Sequence, residues 1–157
     1  MEGPWLSAGE QRIWRAYVRA GALLTARLNR QLQADSGLSL PEYEVLVQLS
    51  EAPDHRLRPF RLGRALEWEQ SRLSHMLTRM QRRGFVRREA CPSDARGALV
   101  VLTGAGLAAI EAAAPGHVAM VRELVFKPLD GELADRFGDA CTAIHRAVDG
   151  DDGTVSA

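Results

Sequence analysis

The sequence predicts a mostly α-helical fold with a small β-wing, and three observations carry that prediction. Glu67–Arg83 reads as one helix with two unlike faces. Leu73, Leu77 and Met80 recur at i, i+4, i+7, while Gln70, Ser71, Arg72, Ser74, His75, Thr78, Arg79, Arg82 and Arg83 take the other sides. Directly after Gly84 the apolar period changes from helical to strand-like. Helical segments with apolar stripes occupy both ends of the chain.

Taken in order, Ser7 and Glu10 form a Ser-x-x-Glu capping box at the head of a long helix running to about Ala34. Its apolar residues, Ile13, Trp14, Tyr17, Val18, Leu24, Leu28 and Leu32, cover a wide arc, and Asp35-Ser36-Gly37 is a stop. A second box, Ser39 and Glu42 with Pro41 in the first turn, opens a helix to about Glu51. Ala52-Pro53-Asp54 breaks it, and His55–Arg58 has the character of a short strand. Pro59–Leu66 is a short helix. With a turn at Glu67-Trp68-Glu69 and the polar-faced helix after it, this makes a helix-turn-helix.

Gly84 supplies the left-handed residue that ends that helix. Phe85–Ala90 and Ala98–Leu102 then read as two strands around a turn-rich tip, Cys91–Gly97. Thr103 caps the next helix, Leu107 to about Lys127, with a kink or break expected at Pro115-Gly116. Asp130 caps the last helix, striped by Leu133, Phe137, Ala140, Ile144 and Val148. One domain over residues 1–157 follows: a winged helix-turn-helix lobe at about 39–103, with flanking helices at about 7–34 and 104–149.

Composition is ordinary for a globular protein: 157 residues, 46% apolar, 25% charged, net charge zero. The charge is unevenly spread. Eleven arginines lie between Arg56 and Arg96 against Glu67, Glu69, Glu89 and Asp94, a local +7 balanced by −7 elsewhere. A local basic patch is the footprint of a polyanionic partner. Cys91 and Cys141 are too few for a disulfide framework, so cytosolic thiols are expected. The N-terminus lacks the pattern of a signal peptide, and apolar runs such as Ala98–Leu102 are too short for a bilayer. A cytoplasmic protein with no membrane partner is the expectation.

Arg79–Thr103, RMQRRGFVRREACPSDARGALVVLT, resembles the helix–wing signature of the MarR family of winged helix-turn-helix regulators. The matching positions are Arg79, Met80, Arg83, Gly84, Phe85, Val86, Arg88, Asp94, Arg96, Val100, Leu102 and Thr103, without insertion. The order of helices extends the resemblance from Leu6 to about Asp149. Two positions depart from the pattern: Ala95 replaces a common arginine at the tip, and Glu69 replaces the usual Ser or Thr before the recognition helix. The resemblance implies a non-enzymatic DNA-binding regulator, a repressor by expectation, dimeric through a helical lobe built from the N- and C-terminal helices. Symmetric lobes imply a pseudo-palindromic operator in double-stranded DNA.

Side-chain chemistry allots roles to the residues. Gln70, Ser71, Arg72, Ser74 and His75, in the N-terminal half of the helix, suit base edges in a major groove. Arg79 and Arg83 suit phosphates. Arg96 at the wing tip suits a minor groove, with Asp94 orienting it. The family commonly binds phenolic or aromatic effectors, and Trp14, Tyr17, Arg19 and Tyr43 are candidates for such a pocket, core packing being the stronger alternative for the aromatics. No cysteine lies in the first helix, which argues against a peroxide sensor of the family's type. Cys141, His145 and Asp149 share one helix face, a spacing better read as packing and surface than as a metal site. No Gly-rich phosphate loop or paired nucleophile and base is present, and no cofactor is expected. The rival reading is a winged-helix interaction module that does not bind DNA, and the basic middle counts against it.

Overall fold

The structure, a computed structural model, describes residues 3–150, with only the backbone at 94–96. It contains six α-helices and one three-stranded antiparallel sheet among the described residues. Two compact units divide at Val118/Ala119.

In the first unit, α1 spans Ala8–Ser36 and α2 spans Leu40–Glu51. Both capping boxes form. Ser7 Oγ accepts from Glu10 N and Ser39 Oγ from Glu42 N, while Glu10 and Glu42 carboxylates accept from the Ser7 and Ser39 amides. Gly37, at φ +67°, closes α1 with its amide on the Gln33 carbonyl. The Asn29 side chain then accepts from Leu40 N, tying the start of α2 to α1.

Strand β1 is Arg56–Leu57, shorter than the expected His55–Arg58 because His55 ends a single 3-10 turn, Pro53–His55, with left-handed backbone at Asp54 and His55. Helix α3 is Pro59–Leu66 and α4 is Gln70–Arg82. Strands β2, Val86–Cys91, and β3, Asp94–Leu102, reach into the stretch expected as loop, leaving a short tip. The sheet order β1-β3-β2 makes the wing three-stranded, with Arg56 opposite Val101 and Arg87 opposite the same residue from the other side.

Leu73, Leu77 and Met80 of α4 enter one core with Leu32, Tyr43, Leu46, Leu49, Leu62, Val86 and Val100. This is the apolar stripe expected from their spacing. Burying such side chains is worth about 1.5–3 kcal/mol each, which seats α4 firmly on one face and leaves the opposite face to solvent.

Helix α5, Gly104–Val121, begins against the wing. Thr103 Oγ1 accepts from Gly106 N and donates to the Gly84 carbonyl at 2.5 Å, and Thr103 N donates to the Phe85 carbonyl. A methyl group at Gly106 would strike that Phe85 carbonyl, so glycine here is a packing requirement. The expected break at Pro115 is absent. The helix runs through it and turns π-helical only at Arg122–Phe126. Pro115 and Glu111 are both exposed, on the solvent side of the helix. The continuous stretch Gly104–Phe126, 23 residues, is long and apolar enough to cross a bilayer, contrary to the expectation of short runs only. Its Ile110 and Ala113 lie in the core of the first unit, while most of the stretch is not buried.

The second unit holds the end of α5 and helix α6, Gly131–Asp149, capped by Asp130 through its bond from Leu133 N. None of the α6 residues is buried.

Candidate nucleic-acid interface

Helix α4 offers a polar outer face by simple periodicity. With Leu73, Leu77 and Met80 inward, Ser71, Ser74, His75, Thr78, Arg79 and Arg82 point away from the core, and all six are exposed. Arg79 and Arg82 make no hydrogen bond or ion pair among the described residues, so their guanidinium donors remain available. Ser71, Ser74, His75 and Arg79, expected from sequence as DNA contacts, thus lie on the exposed face of α4. Glu69 caps α4 with no side-chain hydrogen bond, in keeping with its poor fit to that position.

Two expected base readers sit differently. Gln70 lies against α3, where a methyl group added at Gly63 would collide with its amide. The Arg72 guanidinium stacks on the Trp68 ring, 4.1 Å from its centroid, a cation–π contact that holds the side chain to the flank of α4. Burial pushes the nearby Glu44 carboxyl up, and the charge of Arg72 partly offsets this.

The larger departure is Arg83. Sequence chemistry assigned it to a phosphate, but both its terminal nitrogens are engaged within the fold, on a side chain that stays 40% exposed. Nη1 donates to both Glu42 oxygens at 2.8 and 2.7 Å, Nη2 donates to the Gly37 carbonyl at 3.0 Å, and the guanidinium lies 4.7 Å from the Phe85 ring centroid. Glu42 is 1% exposed. Burial alone would raise its carboxyl, and the bonds from Arg83 and Ser39 outweigh that, leaving it below the usual carboxylate range.

On the sheet, Glu89 takes both Arg56, at 3.3 Å, and Arg87, at 2.6 Å. Arg58 donates to the Cys91 sulfur at 3.3 Å. Arg88 of β2 and Arg61 and Arg64 of α3 are exposed, with no hydrogen bond or ion pair among the described residues. Arg61 and Arg64 were not singled out in the sequence, although two arginines one turn apart on the first helix of a helix-turn-helix were the available signal. The roles assigned to Asp94 and Arg96 concern side chains outside the described residues.

The matching family model is described as the MarR family and covers residues 38–97, which span this helix-turn-helix and the wing as far as the start of β3. The chain is 41% identical to Sco3205 of Streptomyces coelicolor, a MarR family transcriptional regulator crystallised in complex with DNA. That likeness covers 92% of this chain and 91% of that one, with a TM-score of 0.89. A second regulator of that organism, AbsC, is 40% identical over 94% of this chain and 99% of its own, with a TM-score of 0.90. The transcriptional repressor YetL of Bacillus subtilis is 31% identical over 63% of this chain, and the match spans 59% of its length. The chain belongs to the MarR family.

This MarR-family chain also has open space beside its helix-turn-helix. A cleft of about 550 Å³ opens in the first unit between α1, α2 and the α3–α4 corner, lined among others by Leu24, Thr25, Tyr43, Glu44, Trp68 and His117. A neighbouring space of about 660 Å³ shares Thr25, Glu44 and Trp68 and reaches Arg72. Tyr43 is buried, with its ring 4.4 Å from that of His117. Burial lowers the His117 pKa, favouring neutral imidazole, and its Nδ1 has no hydrogen-bond partner among the described residues. Of the four expected pocket residues only Tyr43 lines this cleft. Trp14 and Tyr17 pair with each other at 5.8 Å on exposed α1, and Arg19 is exposed there too. Proximity in sequence along α1 had grouped side chains that the helix turns outward. Among the described residues no three His, Cys, Asp or Glu side chains gather as a metal site.

Proposed function

We propose that this MarR-family regulator is a cytoplasmic, dimeric repressor that reads a pseudo-palindromic operator in double-stranded DNA. Helix α4 enters the major groove, the wing lies over the adjacent minor groove, and half-sites fall about one helical turn, ~34 Å, apart. The observation that carries this is the outer face of α4, where Ser71, Ser74, His75 and Arg79 stand exposed with Arg82 on a helix whose other side is locked in the core. Ser and Arg side chains suit base edges, and the unpaired arginines of α3, α4 and β2 suit phosphates. The similarity to a regulator crystallised with DNA and to a named repressor supports the same reading.

Pairing of two copies through α1 and α6 is supported by their exposed apolar residues, among them Ile13, Trp14 and Val18 on α1 and Leu133, Phe137, Ile144 and Val148 on α6. The aromatic cleft beside Tyr43, Trp68 and His117 supports release by a small aromatic or phenolic effector, since its wall continues into the turn that starts α4.

Selection of bound sequences from a random duplex pool tests the reading, followed by titration of the winning duplex against salt. With ~6–10 phosphates neutralised per dimer, log K should fall against log salt with a slope of about −5 to −9. No enrichment, or a flat salt response, would overturn it.

A further inference from the structure

Arg83 draws together four pieces of the first unit that are far apart in sequence. Its own backbone ends α4, its Nη2 bonds the Gly37 carbonyl at the C-cap of α1, its Nη1 grips Glu42 in the first turn of α2, and its flat face covers Phe85 at the root of the wing. Glu42 in turn accepts from Ser39 N at 2.9 Å, so one buried carboxylate serves both the α2 cap and the α4 terminus. Only a guanidinium suits this arrangement. Its planar fork presents several donors in fixed directions and a face that stacks on an aromatic ring, whereas an ammonium is a single rotating point. A positive charge also suits the C-terminus of α4.

We infer that Arg83 is a positioning residue for DNA reading: it pins the end of α4 to the α1–α2 junction and to the root of the wing, and thereby sets the angle at which α4 meets base edges. The inference rests on the DNA-reading function proposed above. Helix α4 has 13 residues, so it is ~20 Å long. A small swing about its C-terminus moves its N-terminal half, where Ser71, Ser74 and His75 stand, by a large fraction of a hydrogen-bond length. Phosphate contacts tolerate such a shift, but hydrogen bonds to base edges do not. Loss of the clamp therefore removes sequence discrimination before it removes attraction to DNA.

The test uses the full chain as wild type, Arg83→Met, Arg83→Lys, Glu42→Gln and the double variant Glu42→Gln/Arg83→Met. Affinity is measured on the duplex the wild type selects from a random pool and on a scrambled duplex of equal length, across ~50–200 mM salt. Stoichiometric titration gives the active fraction separately, so misfolded protein does not enter Kd. The expected result is that each single variant narrows the preference for the selected duplex by about tenfold or more, as a lost base pair contact does. Affinity for the scrambled duplex and the salt slope stay at the wild-type level, Lys rescues nothing, and the double variant is no worse than the singles. Glu42→Gln is the sharpest arm and the one that stands if Arg83→Met does not fold. Removing an acid favours a polyanion on charge alone, so weakened binding has the opposite sign to simple electrostatics.

Equal losses on both duplexes for Arg83→Met, with a slope shallower by ~2 per dimer and rescue by Lys, would make Arg83 a phosphate contact and overturn the inference. A lower active fraction with unchanged Kd would reduce the clamp to a folding role and also overturn it. A wild type that enriches no sequence removes the DNA reading itself, a failure visible before any variant is compared.

Discussion

Glu67 holds a left-handed backbone, φ 55° and ψ 40°, at the turn between α3 and α4. That conformation costs a residue with a Cβ about 1–2 kcal/mol relative to glycine, while glycine adds freedom to the unfolded chain worth about 0.4–1 kcal/mol. Glu67→Gly should therefore raise stability by roughly 0.5–1 kcal/mol, read as a higher urea midpoint at unchanged slope. A lower midpoint would mean that the glutamate side chain contributes more than the strain removes. The same turn explains why some stops were visible in the sequence and this one was not. Gly37 and Gly84 both have positive φ and both announce themselves by residue type. A glutamate carries no such mark, and its left-handed turn lies where the Glu67 and Trp68 amides close α3 on the Arg64 and Gly63 carbonyls.

Helix starts were the most readable features because caps act over three residues. Ser7–Glu10, Ser39–Glu42 and Asp130 all formed where the sequence put them. The Arg83–Glu42 pair spans 41 residues and was hidden, since nothing local distinguishes an arginine aimed at a phosphate from one aimed at a buried acid. The third wing strand was only half visible for a similar reason: β1 has two residues and exists because β3 pairs with it. The pair also has a pH signature. Glu42 titrates below its ordinary 4.5 in the folded chain, so its contribution is complete above the unfolded value and is lost as pH falls through the folded one. Thermal unfolding of wild type beside Glu42→Gln should show a wide gap in melting temperature near neutrality, and that gap should shrink as pH falls below the ordinary carboxylate range. A gap independent of pH would mean that the carboxylate charge is not what stabilises this junction.

The charge pattern, basic in the middle and acidic in the flanks, could be counted directly from the sequence, but the fate of each arginine could not. The eleven arginines between Arg56 and Arg96 divide into those tied to Glu42, Glu89, Cys91 or Trp68 and those left unpaired on α3, α4 and β2, with Arg96 outside the described side chains. The apolar stripe of α6 was equally plain, yet none of its residues is buried, and Phe137 is 48% exposed. A striped helix with nothing buried asks for a partner surface. Phe137→Asp should convert the proposed dimer to monomer in sedimentation and abolish the operator shift with it, since one half-site offers too little contact. A variant that remains dimeric and still shifts the operator would take α6 out of the interface.

The stack of Arg72 on Trp68 makes the root of the reading helix visible to light. The chain has three indoles. Trp5, at 83% exposure, stands in water, Trp14 lies on the face of α1 proposed to pair two copies, and Trp68 is half-buried beneath a guanidinium at the first turn of α4. A water-borne quencher silences Trp5, and Trp14→Phe removes the second indole, leaving an emission that answers to Arg72. Whatever lifts that arginine from the ring, a base in the groove or a molecule in the cleft behind it, changes the colour of the protein with no label attached.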